Sequence, residues 1–555
     1  MSDPAVSRRH FLLTTATAAG AAGAASLPLD ALAATLAPHA SQAPQAPQPA
    51  KYTRYNVMSA GGQKALASYQ RAIDAMLKLP PTDPRNWFRN AFIHMMDCPH
   101  GNWWFYVWHR GYLGYFEQTL RTLSGDPTFA IPYWDWTTLP QIPDGMFNGV
   151  LTPTDPHYEP YTRNISAFST QLRGPLTAYW NSLNAAQRAQ LDKRNYKAFD
   201  DMWNDVMGLD VPSQQFFSGN LTYAFTSGSR YLTRDNPKLD PKTAYDVSPH
   251  IVSSGLLPKL FYSTEPANSF TSSKTASHND APNAGTKFSV LEGLPHNKTH
   301  NFIGGVGPCD PGPYGNMTNN LSPVDPIFFL HHSNMDRLWD VWVRKQKALG
   351  LPYLPTGADL ATLSNEPFLF YADSTGKYVG TAHAGDYLSM DRFNYQYEPG
   401  FGENVVQPAK VLAASPGAVV HATATPTGNA ATVSLPTSAV QSHINSPAES
   451  TLVAEVTIPK PTSASSREFD VLVGAPASTT QANADSPYYA GTIAFFGHMA
   501  MTNMGGDVTF TVPLPKAPTL LGAAPGQTTA VNIRVVPSHA GQKAPTLKSV
   551  VIRSR

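Results

Sequence analysis

The sequence is poor in cysteine and in charge, and it has no surplus of charge of either sign. Two cysteines among 555 residues cannot build a disulfide framework, and they exclude a cysteine-rich zinc or iron–sulfur site. Lys and Arg (40) balance Asp and Glu (39), so no electrostatic footprint for nucleic acid or for an anionic membrane is expected. Only 14% of residues are charged, where about 25% is usual. We therefore predict a weakly charged surface with neither nucleic acid nor membrane as a partner.

What the sequence does contain is enough apolar residues for real cores, together with abundant proline and histidine. Hydrophobic residues make up 42%, which excludes a disordered protein. At roughly 100–200 residues per domain, the length predicts more than one domain. The 50 prolines indicate long loops, and several of the 17 histidines occur in clusters.

The N-terminus resembles a twin-arginine export signal over residues 1–33. Arg8 and Arg9 precede a modest apolar stretch, and Ala31-Leu32-Ala33 resembles a cleavage site. No later apolar run approaches the 18 or so residues that span a bilayer. We expect a periplasmic or secreted protein with an Ala/Pro/Gln linker over 34–50; the alternative is a basic N-terminus that frays.

The rest of the chain divides by composition into a helical part and a β part. Apolar residues from Phe105 to Leu120 recur at helical spacing, and a second helix is predicted from Pro326 to Trp342. Residues 401–450 have a linker composition of Ala, Thr, Ser, Pro and Val. After residue 451 apolar and polar residues alternate, as in Leu452–Ile458 and Val508–Val512. The prediction is a mainly α core over 51–400 and a small β domain over 451–555.

Two clusters of histidine carry the chemistry. His296 and His300 are four residues apart, so on a helix both imidazoles reach one metal ion. The adjacent His331 and His332 point about 100° apart on a helix, so they cannot both serve that ion. The first cluster contains His94, His100 and His109, and the second contains His296, His300, His331 and His332.

Two sets of three imidazoles favour copper over other metals. Neutral nitrogen donors without carboxylates disfavour magnesium, calcium and manganese. Glu-x-x-His pairs of di-iron bundles are missing, and Asn297 stands where a metalloprotease would have its glutamate base. Imidazole suits copper and zinc, and two three-nitrogen sites leave positions open for a bridging ligand. The alternative is that these histidines have only structural roles. That explanation is the better one for any single histidine, but not for the whole set.

Longer motifs around these histidines resemble those of the type 3 copper proteins: tyrosinases, catechol oxidases and molluscan haemocyanins. The resemblance covers roughly residues 51–400 and implies a loop-rich four-helix bundle around a dicopper site, followed by a β-sandwich or barrel. Glu292, four residues before His296, makes it closest to plant-type polyphenol oxidases. The motifs are Trp108-His109-Arg110 with Glu117, Pro132-Tyr133-Trp134-Asp135-Trp136, Pro295-His296-Asn297 with His300, Asp325-Pro326 to Asp336-Arg337, Tyr395-Gln396-Tyr397 and, more weakly, Glu468-Phe469-Asp470-Val471.

The resemblance implies a role for each histidine. One copper ion is expected on His94, His100 and His109, and the other on His296, His300 and His332. The family pattern leaves His331 as a packing residue behind the metal. Asp336, one turn beyond His332, is a candidate to orient a ligand; the other interpretation is an ion pair with a nearby arginine, and the two roles are compatible.

Cys98 is expected to be joined to His100. A free thiolate beside copper would be a competing soft ligand or would be oxidised. Many family members remove it by a thioether to the second histidine of the first copper, and the spacing of Cys98 to His94 and His100 fits that bond. The alternatives are a free thiol or a disulfide between Cys98 and Cys309.

The family chemistry is oxidation of phenols by O2, the co-substrate, at two copper ions. It converts o-diphenols to o-quinones and, in tyrosinases, also hydroxylates monophenols at the ortho position. Glu292 and Asn297 resemble the pair that positions a water to deprotonate the monophenol, which favours a tyrosinase acting on tyrosine and catechols. The alternative is that Asn297 bonds backbone and Glu292 caps a helix.

Other functions on the same scaffold stay open. They are a catechol oxidase without monophenolase activity, an o-aminophenol oxidase and a haemocyanin-like O2 carrier. The export signal on a chain with a single functional unit argues against the carrier. The sequence leaves a homo-oligomer undecided. Relatives keep a C-terminal domain that covers the coppers, and Phe495 or Phe496 is the candidate plug of a latent enzyme; the alternative is that both rings belong to the β core.

Overall fold

The structure, a computed structural model, describes most of the chain after residue 49. The predicted export signal and nearly all of the 34–50 linker lie outside the described residues. Within them, no helix is both long enough and apolar enough to cross a bilayer. The described residues are 50–207, 230–282, 285–310, 314–406, 420–446, 451–460, 467–497, 506–521 and 526–555.

The first part of the chain is helical, as predicted. Its helices begin at polar caps: Ser59 accepts from the Gly62 N–H before α1, and Asn86 accepts from the Phe88 N–H before α2. The helices are α1 (Ala60–Lys78), α2 (Trp87–Asp97), α3 (Phe105–Ser124), α4 (Glu159–Thr162), α5 (Ile165–Ser182), α6 (Ala185–Lys193), α7 (Phe199–Met207), α8 (Pro241–Asp246), α9 (Pro249–Leu256), α10 (Asn297–Gly304), α11 (Ile327–Ala348), α12 (Gly357–Asn365) and, further on, α13 (Thr437–Asn445).

Four of these helices, α2, α3, α10 and α11, form the centre of the core. The predicted helices from Phe105 and from Pro326 are confirmed as α3 and α11. Nearly every residue of α2 and α10 is buried, so they are apolar or hydrogen-bonded all round rather than amphipathic. One large cluster of buried aromatic and aliphatic side chains surrounds the four helices.

The C-terminal part of the chain is a sandwich of two β-sheets. One sheet has the strand order β5-β10-β7-β8, and the other has the order β2-β9-β6-β11-β4. The alternating segments Leu452–Ile458 and Val508–Val512 are confirmed as strands. The strands are β1 (Tyr52–Arg54), β2 (Thr286–Phe288), β3 (Tyr395–Tyr397), β4 (His421–Ala424), β5 (Ala430–Pro436), β6 (Leu452–Pro459), β7 (Glu468–Val473), β8 (Tyr489–Ala494), β9 (Asp507–Pro513), β10 (Thr528–Pro537) and β11 (Ser549–Ser554).

The segment expected as a linker, residues 401–450, belongs in part to this sandwich. Strand β4 pairs with β11, and β5 pairs antiparallel with β10 over its whole length. Residues of β5 alternate between buried and exposed, so the period-two pattern was present but hidden by small residues such as Ala, Thr and Ser. Residues 407–419 and 447–450 of this segment lie outside the described residues.

The sandwich takes one of its strands from the helical core. Strand β2 pairs in parallel with β9, with Phe288 opposite Phe510. At the other side of the core, β1 pairs in parallel with β3 and brings Arg54 beside Tyr397. Through β2 the core and the sandwich share a hydrogen-bonded edge, so the boundary between them does not fall at a single point in the sequence.

Candidate metal centre

The central helices bring the two histidine clusters to one place. His94 lies on the last turn of α2, His100 in the loop that follows, and His109 on α3. His300 lies on α10, while His296 ends a π-helical turn, Glu292–His296, that leads into α10. The expectation of one regular helix for this pair is corrected here: Pro295 lies inside the turn, and such π turns are frequent at functional sites.

The distances within and between the clusters are short. One ring nitrogen from each of His94, His100 and His109 and the sulfur of Cys98 lie within 4.8 Å of one another, and one nitrogen from each histidine of the second cluster does likewise. The rings of His109 and His332 stack across the clusters with centroids 4.1 Å apart. The two sets therefore face each other rather than forming two remote sites.

Four of the histidines are anchored through Nδ1, which leaves Nε2 for a ligand. Nδ1 of His94 lies 2.7 Å from the Asn320 carbonyl oxygen, and Nδ1 of His109 lies 2.7 Å from that of Phe105. Nδ1 of His300 lies 2.8 Å from the Met317 carbonyl oxygen. Nδ1 of His296 lies 2.9 Å from the side-chain oxygen of Asn297. This pattern is the one that orients metal-binding imidazoles.

The environment keeps these imidazoles neutral. Burial lowers the pKa of His296 to about 3, and burial together with neighbouring imidazoles lowers the pKa of His109 and His300 well below the usual value. The pKa of His332 is lowered for the same reasons. A neutral imidazole keeps the lone pair that a metal requires, so no proton needs to be displaced on binding.

His331 and His332 differ in their partners. The indole N–H of Trp136 donates to Nδ1 of His331 over 3.1 Å. That nitrogen then holds a lone pair, so the ring proton is on Nε2, which has no pair left for a metal. Nε2 of His332 instead lies 3.1 Å from Nε2 of His300. Two nitrogens bound to one ion at about 2.0 Å lie roughly 3 Å apart, so this pair fits one metal ion.

Cys98 lies against two of the imidazoles. Its sulfur is 3.9 Å from Nδ1 and 3.8 Å from Nε2 of His100, and 3.3 Å from Nε2 of His109. Because these two distances to His100 are nearly equal, the sulfur lies close to the plane midway between Nδ1 and Nε2. The ring carbon Cε1 lies in that plane. Both Cys98 and Cys309 are free, so the alternative disulfide between them is not formed.

Glu292 is fully buried beside the first cluster. One carboxylate oxygen accepts from the Gly101 N–H over 2.5 Å, and the other accepts from the Ser272 hydroxyl. Burial raises the pKa of Glu292 to about 8. Glu292 thereby ties the loop after His100 to the turn that carries His296.

Asn297 and Asp336 have partners that sequence reasoning did not identify fully. Asn297 donates to the Ala494 carbonyl over 2.9 Å, besides holding His296. The two carboxylate oxygens of Asp336 accept from Arg110 over 2.7 Å and from Arg54 over 3.1 Å. Its other partners are the hydroxyls of Tyr395 and Tyr397. Asp336 therefore forms the ion pair expected from the sequence, and its role in orienting a copper ligand stays a prediction.

Phe496 lies over the histidines, and Phe495 does not. The ring centroid of Phe496 is 4.2 Å from that of His300, 5.0 Å from His100 and 5.6 Å from His296. Phe495 packs against Phe510 inside the sandwich, with centroids 5.3 Å apart. His498, the histidine that follows, lies outside the described residues.

Two buried charge networks were missed by sequence reasoning. His278 lies between Asp97 (2.8 Å) and Glu366 (2.5 Å), and Asp97 also accepts from the indole of Trp108, next to His109. Burial alone would lower the pKa of His278, but the two carboxylates raise it to about 9. The local sequence carried no signal for this contact, because its members lie far apart along the chain.

The second network joins α10 to the β-sandwich. Lys298 pairs with Glu468 over 2.5 Å, and His539 lies 2.8 Å from the same carboxylate. Burial alone would raise the pKa of Glu468, but the Lys298 ammonium outweighs it and lowers the pKa to about 2. Asn301, also on α10, donates to Glu468 and to the carbonyl of Phe495, both over 3.1 Å. The segment after β8 that carries Phe495 and Phe496 is thus held by the helix that carries His300.

The residues present fit two copper ions. Neutral imidazoles, five of them buried and His100 half-buried, supply six nitrogen donors without a carboxylate, a donor set that suits copper. Among the described residues, Nε2 of His296 is buried and has no hydrogen-bond partner, as expected of an atom whose partner is a metal. The donor chemistry and the anchored Nδ1 atoms agree.

Comparison with known proteins points to one family. Residues 81–345 match the model described as the common central domain of tyrosinase. The chain is 26% identical over 350 residues to polyphenol oxidase II of Ipomoea batatas, covering 60% of this chain and 47% of that protein. It is 27% identical over 418 residues to a polyphenol oxidase of Vitis vinifera, covering 71% and 54%. The chain spans about half the length of these curated relatives, and both are described as chloroplastic.

A solved structure shows the same fold. A latent aurone synthase, described as a polyphenol oxidase from natural source, is 19% identical and superposes with a TM-score of 0.51. The match covers 92% of this chain and 91% of that chain. The expected fold class, a helical core with a C-terminal β part, is thereby confirmed.

Proposed function

We propose that this chain is a copper-dependent phenol oxidase of the tyrosinase family, whose central-domain model matches residues 81–345. The observation that carries the proposal is the meeting of two sets of neutral imidazoles, with His109 stacked on His332 at 4.1 Å. Its substrates are small phenols such as tyrosine and catechols. Its co-substrate is O2.

The ligands of the first copper are His94, His100 and His109, and those of the second are His296, His300 and His332. The choice of His332 over His331 rests on hydrogen bonding. His331 accepts from Trp136 and so carries its proton on Nε2, while His332 turns Nε2 toward His300 at 3.1 Å.

When bound, the two copper ions supply the electrons that reduce O2 and the oxidising power for the phenol ring. The chain supplies the rest. Carbonyl groups of Asn320, Phe105 and Met317 hold three imidazoles in orientation, and the surrounding aromatic side chains exclude water. A phenol has a pKa near 10, so a monophenol needs a base before its ring can react.

Glu292 and Asn297 are the residues we assign to that proton transfer, through a water molecule. The Glu292 carboxyl group is already held by Gly101 and Ser272, and Asn297 holds His296. These contacts equally suit the structural alternative, in which Asn297 bonds backbone and Glu292 caps a helix. Replacing Asn297 by Leu, which keeps its size, is therefore expected to lower turnover of tyramine more than turnover of catechol. Equal losses on both substrates would contradict the role.

We assign a latent state to the chain as it stands, with Phe496 as the plug. The ring that covers His300 and His100 occupies the space a phenol ring would need. Phe495 is assigned to the β core. The word latent also stands in the name of the aurone synthase whose fold this chain shares.

The thioether between Cys98 and His100 and the twin-arginine route are further parts of the proposal. The sulfur lies at nearly equal distances from both nitrogens of His100, and burial raises the pKa of the Cys98 thiol, so an unmodified thiol would stay protonated there.

Export of a folded protein by the twin-arginine route, to the periplasm or beyond, would carry the metal with it.

The decisive experiment counts metal and turnover together. Purified protein is expected to hold two copper ions per chain and, after activation, to oxidise catechol with O2. One ion per chain, or zinc in place of copper, would contradict the proposal. Reversible O2 binding without turnover would indicate a carrier, and faster turnover of o-aminophenols than of catechols would indicate an o-aminophenol oxidase.

A further inference from the structure

Besides covering the site, the β-sandwich contacts the segment that carries Glu292 and His296. It makes one contact at each end of that segment. At the front end, β2 pairs in parallel with β9 over Thr286–Phe288. At the rear end, Asn297 donates to the carbonyl of Ala494, the last residue of β8. The segment between these two contacts contains the whole π turn from Glu292 to His296.

The front contact is closely packed and hydrogen-bonded by a side chain. The Thr511 hydroxyl donates to the Phe288 carbonyl over 3.0 Å, and both residues are buried. The rings of Phe288 and Phe510 stack with centroids 4.9 Å apart. Strand β9 therefore fixes Phe288 through its backbone, its carbonyl and its ring.

The π turn rests directly on this contact. A Cβ added at Gly293 would lie 2.9 Å from Phe288 Cβ and 3.2 Å from Phe510 Cδ1, so the turn lies against both rings. Ser272 accepts from the Ser289 N–H over 3.1 Å and donates to Glu292, which connects strand and turn by hydrogen bonds. A shift of β2 relative to β9 would be passed to the turn, because packed interiors transmit strain.

The rear contact acts on the ligand itself. Asn297 accepts at its side-chain oxygen from Nδ1 of His296 and donates through its side-chain nitrogen to Ala494. One amide thus joins a metal-binding ring to the end of β8. Loss of the Ala494 carbonyl would free the amide to rotate, and the orientation of His296 would no longer be fixed.

We infer that docking of the β-sandwich and metal binding at the second cluster are thermodynamically coupled, with Thr511 as a positioning residue. The inference rests on the proposed dicopper function. A docked sandwich holds His296 in position and raises the affinity of this cluster for copper. By reciprocity, copper at this cluster strengthens docking by the same factor. The sandwich then stabilises the binding of one metal ion, in addition to covering the site.

The test uses the full chain and three variants. Thr511→Val removes the hydroxyl at constant shape, and Thr511→Ser restores it. Thr529→Val is the matched control, because the Thr529 hydroxyl bonds that of Thr437 over 2.8 Å within the sandwich, away from the π turn. Copper per chain is measured after dialysis against a graded series of chelator concentrations, and circular dichroism checks that each variant is folded.

The expected result is selective loss of one ion. Thr511→Val should release one of its two copper ions at a chelator concentration about fivefold lower than the wild type, the effect of one hydrogen bond. Thr511→Ser and Thr529→Val should match the wild type. Retention of both ions by Thr511→Val, or loss of both together, would overturn the inference. If the wild type itself binds no copper pair, it is the proposed function that fails.

Hydrogen exchange provides the reciprocal measurement. In the wild type, amide exchange over residues 507–513 should slow by about fivefold when copper is added to chelator-treated protein, because the ligand stabilises the docked state. Exchange over β5, which lies at the opposite edge of its sheet from β8, should not change to that extent. Identical exchange of 507–513 with and without copper would overturn the coupling without any reference to activity.

Discussion

The ring of Phe496 lies 4.2 Å from the ring of His300, between centroids, and it reaches that position from the β-sandwich. Asn301, the residue after His300, donates to the carbonyl of Phe495, the residue before the plug. The helix that supplies a ligand therefore also holds the cover over it. Cover and metal centre are parts of one packed arrangement rather than two separate devices.

Truncating the plug should activate the full chain. Phe496→Ala is expected to raise kcat/KM for catechol on the order of tenfold, because a site covered most of the time binds in proportion to its open fraction. Oxygen consumption by copper-loaded protein measures it. Phe496→Leu keeps an apolar cover and should remain nearly latent. Unchanged activity of Phe496→Ala would show that other residues block the site.

The two adjacent histidines should behave differently when replaced. His332→Gln is expected to leave one copper ion per chain, since it removes a ligand. His331→Gln should keep two, because Nδ1 of His331 is occupied by the Trp136 indole. Metal analysis of the purified variants measures this, and Trp136→Phe serves as the control. Retention of two ions by His332→Gln together with loss by His331→Gln would reverse the assignment.

Peptide mapping should reveal the bond between Cys98 and His100. The copper-loaded protein, exposed to O2 as the oxidant, is expected to yield a peptide lighter by two hydrogen atoms and resistant to thiol alkylation, since this two-electron oxidation removes the S–H and a ring C–H hydrogen. Cys309 should alkylate readily after unfolding. Cys98→Ser gives the unlinked reference mass. A fully alkylated Cys98 in active enzyme would contradict this prediction.

His278 should stabilise the fold up to mildly alkaline pH. Its folded-state pKa of about 9 lies above the unfolded value of 6.5. Its contribution is therefore complete below pH 6.5 and is lost as pH rises through about 9. The difference corresponds to about 3 kcal/mol. Denaturant unfolding at several pH values measures it.

The matching variant is His278→Gln, which leaves Asp97 and Glu366 without their cation. It should lose about 3–5 kcal/mol near neutral pH, as buried pairs do when one partner is removed, and should show a much smaller loss at pH 10. His421→Gln, on the exposed side of β4, is the control. A deficit that is the same at both pH values would show that His278 acts through packing alone.

Much of the site could be predicted from local sequence. The spacing of His296 and His300 and the helical repeat after Phe105 reflect contacts within one or two turns, which periodicity records. The linker expected over residues 401–450 failed for a local reason too: β5 does alternate, with Ala431, Val433 and Leu435 buried, but its small and polar residues gave the segment a linker composition. The partners of Asp336 could not be predicted, because Arg54 and Tyr395 reach it from distant parts of the chain.

The amino-acid order alone settled the donor chemistry: histidines in two spaced groups, without carboxylates, are a property of residue type and short-range geometry. Tertiary packing alone decided which of two neighbouring phenylalanines covers the metal centre and which of two neighbouring histidines has its Nδ1 occupied. It also decided that the core lends strand β2 to the sandwich. The physical reason is that each of these choices depends on a partner far along the chain, such as Trp136 for His331, and no local pattern specifies which distant groups will meet.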